Sequence, residues 1–511
     1  MQTNILEYLE ATALRVPQKV AYSDGRFDLT FAALQNQAHS VGSALLGEGF
    51  GREAVAILMT KHPKEIAAFY GCVYAGCYYV PLDTDMPASR IDTILDSTEA
   101  RVMIVDDKGA RLLAQLHFSG RVLRYDEICE APVDPVALAA VRAQQIDTDP
   151  IYVVFTSGST GIPKGVVACH RSVIDYVEAL CDALGFSEDT VFANQTPLFF
   201  DAPLKELMPV IKYGATAYLV PKTLFMFPTR LCDFLNEHRI NTVCWVVSAL
   251  TMISSLGCLE SNPPKYLRTV AFGSEVFPPT QYALWRKALP NASFFNLYGP
   301  TEATGMSCYW KADRALEAGE PIPIGKPFRN TDLLLITEEG KEATGKETGE
   351  IYLRGTCVTL GYLNNPEKTA EAFVQNPLHT RYPETVYRTG DLAYRNAHGE
   401  LVFVSRKDAQ IKHMGHRIEL GEIESAASAQ DGILRACCVY DGENKRILLY
   451  YTGTLSPSEL SARLRERLPR YMLPTLCEQL DVMPLTPNGK LDRKRLLSEA
   501  IAQYQKEDTT V

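Results

Sequence analysis

Residues 155–166 read FTSGSTGIPKGV, placing hydroxyls at Thr156, Ser157, Ser159 and Thr160, glycines at 158, 161 and 165, and an ammonium at Lys164. Glycines let backbone N–H groups turn inward and approach a ligand closely, and the hydroxyls and the lysine add donors. The chemistry suggested is the cradling of a phosphate. The same composition also suits a solvated turn. It is not a Walker A loop, because Lys164 follows Pro163 and precedes a glycine rather than a hydroxyl residue. It is not a nucleophile elbow, because Ser157 stands where G-x-S-x-G needs its first glycine. Zinc chemistry finds no support: C-x-x-C and H-E-x-x-H are both missing, and His413 and His416 flank Gly415 in what reads as a surface loop.

A phosphate loop needs a strand to aim it, and IYVVF (151–155) supplies an apolar, β-branched run of strand length. AVAILM (54–59), RVMIV (101–105), TAYLV (216–220), TVCWVV (242–247) and TVAF (269–272) read the same way. Between them lie helical stretches at 62–76, 170–185 and 229–239. This alternation predicts an α/β protein of sheets covered by helices. Past about residue 320, the short runs PIPIGKPF, LLLIT, TGEIYLRG and GELVFVSR predict a small β unit. The polar run 405–424 then leads into a last segment with strands RACCVYD and RILLYYTG and the helix SPSELSARLRERLP. The expected organisation is a large N-terminal domain over 1–405, a hinge over 406–410, and a small, mobile α+β C-terminal domain over 411–511.

The 511 residues allow several domains, and 46% hydrophobic with 22% charged residues is ordinary for a globular enzyme. A net charge of -10 argues against a nucleic-acid partner. No apolar run reaches membrane-spanning length and no leader core opens the chain. Thirteen scattered cysteines fit reduced, buried thiols and a cytoplasmic location.

Further motifs give the loop its context. NLYGPTEAT (296–304), YRTGDLAY (387–394), FVSRKDAQIKHMGHRIELGEIE (403–424) and NGKLDR (488–493) follow in order, with LTFAALQ (29–35) and YAGCYYVPLD (74–83) upstream. With FTSGSTGIPKGV, this series resembles the adenylate-forming enzymes: acyl-CoA synthetases, luciferases and amino-acid adenylation domains. The resemblance covers nearly the whole chain. It is nearest to stand-alone peptide-synthetase adenylation domains and D-alanine–carrier protein ligases, because YGPTEAT, RIELGEIE and NGKLDR have the amino-acid-activating form.

The resemblance implies ATP and Mg²⁺ as cofactors and a carboxylate attacking the α-phosphorus. Both reactants are anions, so catalysis is charge neutralisation and alignment. Thr156, Ser157, Gly158, Ser159, Thr160, Gly161 and Lys164 would hold the β/γ-phosphates. Asn296, Leu297, Tyr298, Gly299 and Pro300 would frame the adenine, Tyr298 by its ring and Asn296 by its amide. Thr301 would bind the α-phosphate, Glu302 the magnesium, and Asp391 both ribose hydroxyls. Arg406 and Phe403 would contact the nucleotide, and Lys490 would bridge carboxylate and α-phosphate as the catalytic cation.

Asp201 would pair with the α-ammonium of an amino acid, and it would also make a good N-cap for the following helix. Pro203, Leu204 and Lys205 depart from the aromatic residue and glutamate often found there. Trp245, Val270, Phe272, Leu297, Gly305 and Met306 carry over as pocket residues; the bulk of Trp245 and Phe272 suggests a small amino acid, while Gly305 opens another wall. Phe272 stands where D-alanine ligases keep cysteine. Asp408 takes the hinge position, about which the C-terminal domain turns to replace Lys490 with the Gly415 loop. With no carrier or condensation motif in the chain, the implied partner is a separate phosphopantetheinylated carrier protein. A carboxylate–CoA ligase using the same first step is the alternative.

Overall fold

The computed structural model describes residues 2–508 apart from 159–160, 318 and 487–490. Two large sheets dominate. The first has nine strands in the order Lys326–Pro327, Cys308–Lys311, Ser293–Tyr298, Thr269–Gly273, Thr242–Val246, Val191–Asn194, Thr216–Leu219, Val20–Ser23 and Asp28–Thr30. Its middle is parallel and its edge pairings are antiparallel. The second has six strands in the order Arg121–Arg124, Val102–Val105, Ala54–Met59, Tyr78–Asp83, Pro150–Thr156 and Lys164–Cys169.

Helices Leu6–Arg15, Phe31–Gly47, Pro63–Tyr74, His170–Leu184 and Leu204–Tyr213 fill the core shared by these sheets. Strand Ala54–Met59 shows why its sequence carries no polar alternation. Val55, Ile57 and Met59 face this shared core, while Ala56 and Leu58 face a second core with Ile91 and Leu95. A strand covered on both faces is apolar throughout.

Five strands make the small β unit: Thr331–Ile336, Gly349–Gly355 and Thr385–Arg395, with Phe373–Gln375 and Leu401–Arg406 both on Thr385–Arg395. The expected strand at PIPIGKPF meets it only through an isolated bridge between Gly325 and Leu401. Its other pairing is Lys326–Pro327, at the edge of the nine-stranded sheet. Pro321, Pro323 and Pro327 lack the N–H that a ladder needs, so the pairing does not extend into a full strand.

The last strand of the β unit ends at Arg406 and the next begins at Gln410. There a two-stranded hairpin, Gln410–His413 with His416–Glu419, precedes the sheet Ile433–Asp441, Arg446–Gly453 and Leu476–Gln479. Helix Pro457–Arg465 starts with a reciprocal box in which Ser456 caps the Glu459 N–H and Glu459 answers the Ser456 N–H. All thirteen cysteines are free thiols. Among the described residues no helix is long and apolar enough to cross a membrane, and no cluster of His, Cys, Asp or Glu has metal-binding spacing.

Candidate active site

The FTSGSTGIPKGV loop joins two antiparallel strands, with Thr156 paired to Lys164 across its base. Inside the loop an added Cβ on Gly158 would stand 1.9 Å from the Ile162 carbonyl oxygen, so only glycine fits this close backbone approach. The Thr156 hydroxyl is buried without a partner, which leaves a donor for a ligand oxygen. Lys164 lies 5.1 Å from the centre of the Tyr362 ring. Ser159 and Thr160 lie outside the described residues, as does Lys490. Leu485 and Leu491, which bracket Lys490, pair with each other and border a recess with Ala436 and Arg493.

The residues expected to bind the nucleotide's base and ribose gather where the nine-stranded sheet meets the β unit. Asp391 and Arg406 are register partners on neighbouring strands, and their side chains form an ion pair. The Tyr298 hydroxyl donates to the other Asp391 oxygen at 2.5 Å. Asn296 donates its amide N–H to the Pro323 carbonyl at 2.8 Å, so its amide oxygen remains available to accept from an adenine amino group. Tyr298, Asn296, Leu297, Phe403 and Arg406 border one cavity of about 380 Å³. Arg406 also grips Asp408 through two contacts of 2.8 Å, which links the Asp391–Arg406 pair to the expected hinge residue. Gly299 is pinned by its neighbours, since a Cβ there would stand 2.4 Å from the Gly305 carbonyl oxygen. It leads through Pro300 into the turn Thr301–Ala303.

Glu302 is fully buried; its two oxygens accept from the Tyr362 hydroxyl and from Arg417, each at 2.7 Å. Burial alone would raise this carboxyl. Arg417 and Lys164 override it, with the Tyr362 hydroxyl adding, and hold it at about 2. The group is therefore a permanent carboxylate already holding one cation, which is the donor a magnesium ion needs beside phosphates.

Arg417 arrives from the C-terminal hairpin, which is lodged in the cleft. The expected surface loop at His413–His416 is instead the turn of this hairpin, and His413 is buried. Ser157 donates to the Arg417 carbonyl at 3.0 Å and accepts the Glu419 N–H at 3.1 Å. Glu422 accepts the Gly158 N–H at 3.2 Å and pairs with Arg90. Lys412 stands 5.5 Å from the centre of the Tyr298 ring. None of these partnerships has a local sequence signal. Arg417, Lys412 and Glu422 sit in a run notable for its polarity, and Tyr362 has no distinguishing context.

Gly415 takes φ +81°, and a Cβ there would stand 2.4 Å from Val246 Cγ1. Gly415→Ala is therefore expected to exclude the hairpin from the cleft, through both strain and collision. A step that needs the hairpin should slow by at least tenfold while adenylate formation is kept, as read by single-turnover assays of each step.

The His416 ring stacks on Tyr471 at 3.9 Å and 4°, with Phe200 at 5.2 Å. Burial, reinforced by His413 and Lys222, lowers His416 to about 4 from its ordinary 6.5. A hairpin released to solvent would regain the ordinary value. Docking is therefore favoured above pH 6.5 and weakens as pH falls toward 4. Interdomain energy transfer is expected to drop over that window, and His416→Phe to flatten the response.

Asp201 is not a cap. The helix starts at Leu204 with Pro203 at the N-cap and no side-chain capping bond. Its half-buried carboxylate borders the cleft with Thr301, Gly305 and Met306. Burial raises this carboxyl, while Thr301 and Lys205 pull the other way. Leu297 and Met306 belong to the core shared by the two sheets. Trp245, Val270 and Phe272 point to the opposite face, where they pack with Phe277 and Trp285. The Trp245 indole donates to the Ala193 carbonyl there at 2.6 Å, and Phe272 meets Phe277 edge-on at 4.9 Å. Strand alternation thus separates residues that the motif comparison groups together.

Residues 9–363 match the family model described as AMP-binding enzyme. The chain belongs to this adenylate-forming family. It is 33% identical over 500 residues to an L-proline–[L-prolyl-carrier protein] ligase of Streptomyces coelicolor, covering 92% of each chain. It is 31% identical over 505 residues to surfactin synthase subunit 2 of Bacillus subtilis, covering 97% of this chain but 14% of that one. Among solved structures, IdnL1 superposes with a TM-score of 0.79 at 27% identity, over 94% of this chain and 99% of that one. An artificially fused adenylation–PCP di-domain from Klebsiella oxytoca shares the fold, with a TM-score of 0.80 at 22% identity, over 93% and 94% of the two chains.

Proposed function

We propose that the chain activates a small amino acid with ATP to an aminoacyl-AMP, then passes the acyl group to the phosphopantetheine thiol of a separate carrier protein. The observation that carries this reading is Asp201, a carboxylate released from capping and set at the cleft beside Thr301. An α-ammonium is its natural counter-ion, and an aryl or fatty acid has none to offer.

Asp391 and Arg406 hold the ribose end, while Tyr298 and Asn296 frame the base. Thr156 and Lys164 take the outer phosphates. Lys490 neutralises the charge that builds as the substrate carboxylate meets the α-phosphorus. Glu302 is the residue that would hold magnesium, whose role is to screen the phosphates and stabilise departing pyrophosphate. For the second step the hairpin carrying Gly415 and His416 borders the cleft, where a thiol would approach the adenylate. The proline ligase relative, matched along most of its length, supports a separate carrier. A supply of ATP and carrier protein places the reaction in the cytoplasm.

ATP–pyrophosphate exchange across the amino acids, D-alanine included, and across aryl and fatty acids tests the reading. Exchange with an amino acid, followed by acylation of a holo-carrier, is expected. Exchange confined to acids without an ammonium, with coenzyme A as acceptor, would make the chain a carboxylate–CoA ligase instead.

A further inference from the structure

The phosphate loop holds an anion in this structure, and that anion is part of the chain. Gly158 donates its N–H to Glu422 Oε2 at 3.2 Å, and Arg90 donates from Nη1 to the other oxygen of the same carboxylate. Glu422 lies on helix Leu420–Ser428, directly after the hairpin. Arg90 lies on the first turn of helix Ala88–Thr98, whose Ile91, Ile94 and Leu95 share a core with strand Ala54–Met59. Both charged residues are buried, Arg90 at 7% and Glu422 at 2% exposure.

The same segment covers more of the loop. Ser157 is spent on the Arg417 carbonyl and the Glu419 N–H, and a Cβ on Gly161 would stand 3.1 Å from Ser425 Cβ. Donors that suit a phosphate are thus taken by protein groups while the hairpin is docked.

The carboxylate fills its place incompletely. Arg90 Nε is buried and has no partner, so the guanidinium meets Glu422 through Nη1 and leaves part of its fork idle. A guanidinium offers five donors in a fixed plane, and this carboxylate already gives one of its two oxygens to the loop. A phosphoryl group has three terminal oxygens and more charge. It can accept from the Gly158 N–H and still face two donors of the fork. Glu422 and Tyr471 support the charge of Arg90, and both lie beyond the expected hinge residue. Withdrawal of that segment takes both away and leaves the guanidinium beside the loop.

We propose that Arg90 and the Gly158 N–H form a site for the terminal phosphoryl group of ATP and for the pyrophosphate that carries it away, and that the Glu422 carboxylate takes the same place when the hairpin docks. This rests on the reading in which the loop binds the outer phosphates of ATP. The two occupants exclude each other, so pyrophosphate leaves Arg90 before Glu422 reaches it. AMP carries neither of the phosphates concerned and is compatible with both states.

Binding of ATP, AMP and pyrophosphate is measured by calorimetry in EDTA, which keeps the Glu302 metal site out of the comparison. The proteins are the intact chain, Arg90→Met, Arg90→Lys and Glu422→Gln, with docking read by interdomain energy transfer and folding by thermal unfolding. Arg90→Met is expected to weaken ATP and pyrophosphate about tenfold and to leave AMP within about twofold, with Arg90→Lys between the two. Glu422→Gln should also lose docking, yet bind pyrophosphate more tightly than the intact chain, because a neutral amide competes less for Arg90. If Arg90 serves only to hold Glu422, Arg90→Met and Glu422→Gln will respond alike, with docking reduced and pyrophosphate affinity kept or raised in both; that result would overturn the proposal. An equal loss of AMP and pyrophosphate in folded Arg90→Met would overturn it too, since it marks a general disturbance of the cleft. An intact chain that binds neither ATP nor AMP is a separate failure, which removes the ATP reading of the loop and this site with it.

Discussion

Lys490→Ala is expected to slow adenylate formation by about 10²–10³-fold while leaving transfer from a preformed adenylate within a few-fold of normal. The first step brings a carboxylate against a triphosphate. Negative charge concentrates between them, and one flexible point charge reaching both groups is worth most at that moment. The second step starts from a mixed anhydride attacked by a thiol, after the phosphates that needed neutralising have gone. Rapid-quench measurement of aminoacyl-AMP, beside carrier acylation started from added adenylate, separates the two. Equal loss in both steps would show that Lys490 serves the fold rather than the charge.

The opposite pattern is expected of Arg417→Met, with carrier acylation falling about 10²-fold and adenylate formation nearly unchanged. Arg417 pairs at 2.7 Å with Glu302, a carboxylate that is fully buried when the hairpin is docked. Removing one partner of a buried pair costs about 3–5 kcal/mol. Here the hairpin can withdraw and return Glu302 to other cations, so part of that cost appears as loss of docking rather than of stability; about two decades remain. Magnesium and Arg417 would compete for the Glu302 carboxylate, whose Oε2 Arg417 holds. Glu302 would hold the metal in the first half-reaction and Arg417 in the second, so the two half-reactions would not share it. Adding magnesium pyrophosphate should reduce interdomain energy transfer in the intact chain and do little in Arg417→Met. A variant that docks and acylates normally would remove this coupling.

Much of the frame is written locally. Ala54–Met59 is a strand because six apolar residues of that length fit a sheet covered on both faces. Thr156, Asp391 and Arg406 announce themselves because a glycine-rich turn or a strand end fixes each beside its motif neighbours. Asp201 is legible too, although its neighbours equally suggest a cap, and only the helix start at Leu204 separates the two roles.

What the chain order could not determine is which residues far apart share one charge or one wall. Arg417 meets Glu302 across 115 positions, and its carbonyl meets Ser157 across 260. Cys244 faces the Asp201 side while its neighbour Trp245 faces away, and Lys205 is buried where its charge acts on Glu206 and Asp201. Periodicity, turn chemistry and motif order act over a few residues, so the sequence by itself determined the elements and the nucleotide motifs. Pairing between distant segments depends on how the sheets stack and where the hairpin lodges. Only the tertiary structure could decide the burial of Glu302 with its cation and the environment of Lys205, because burial and charge balance belong to the assembled core rather than to any stretch of chain.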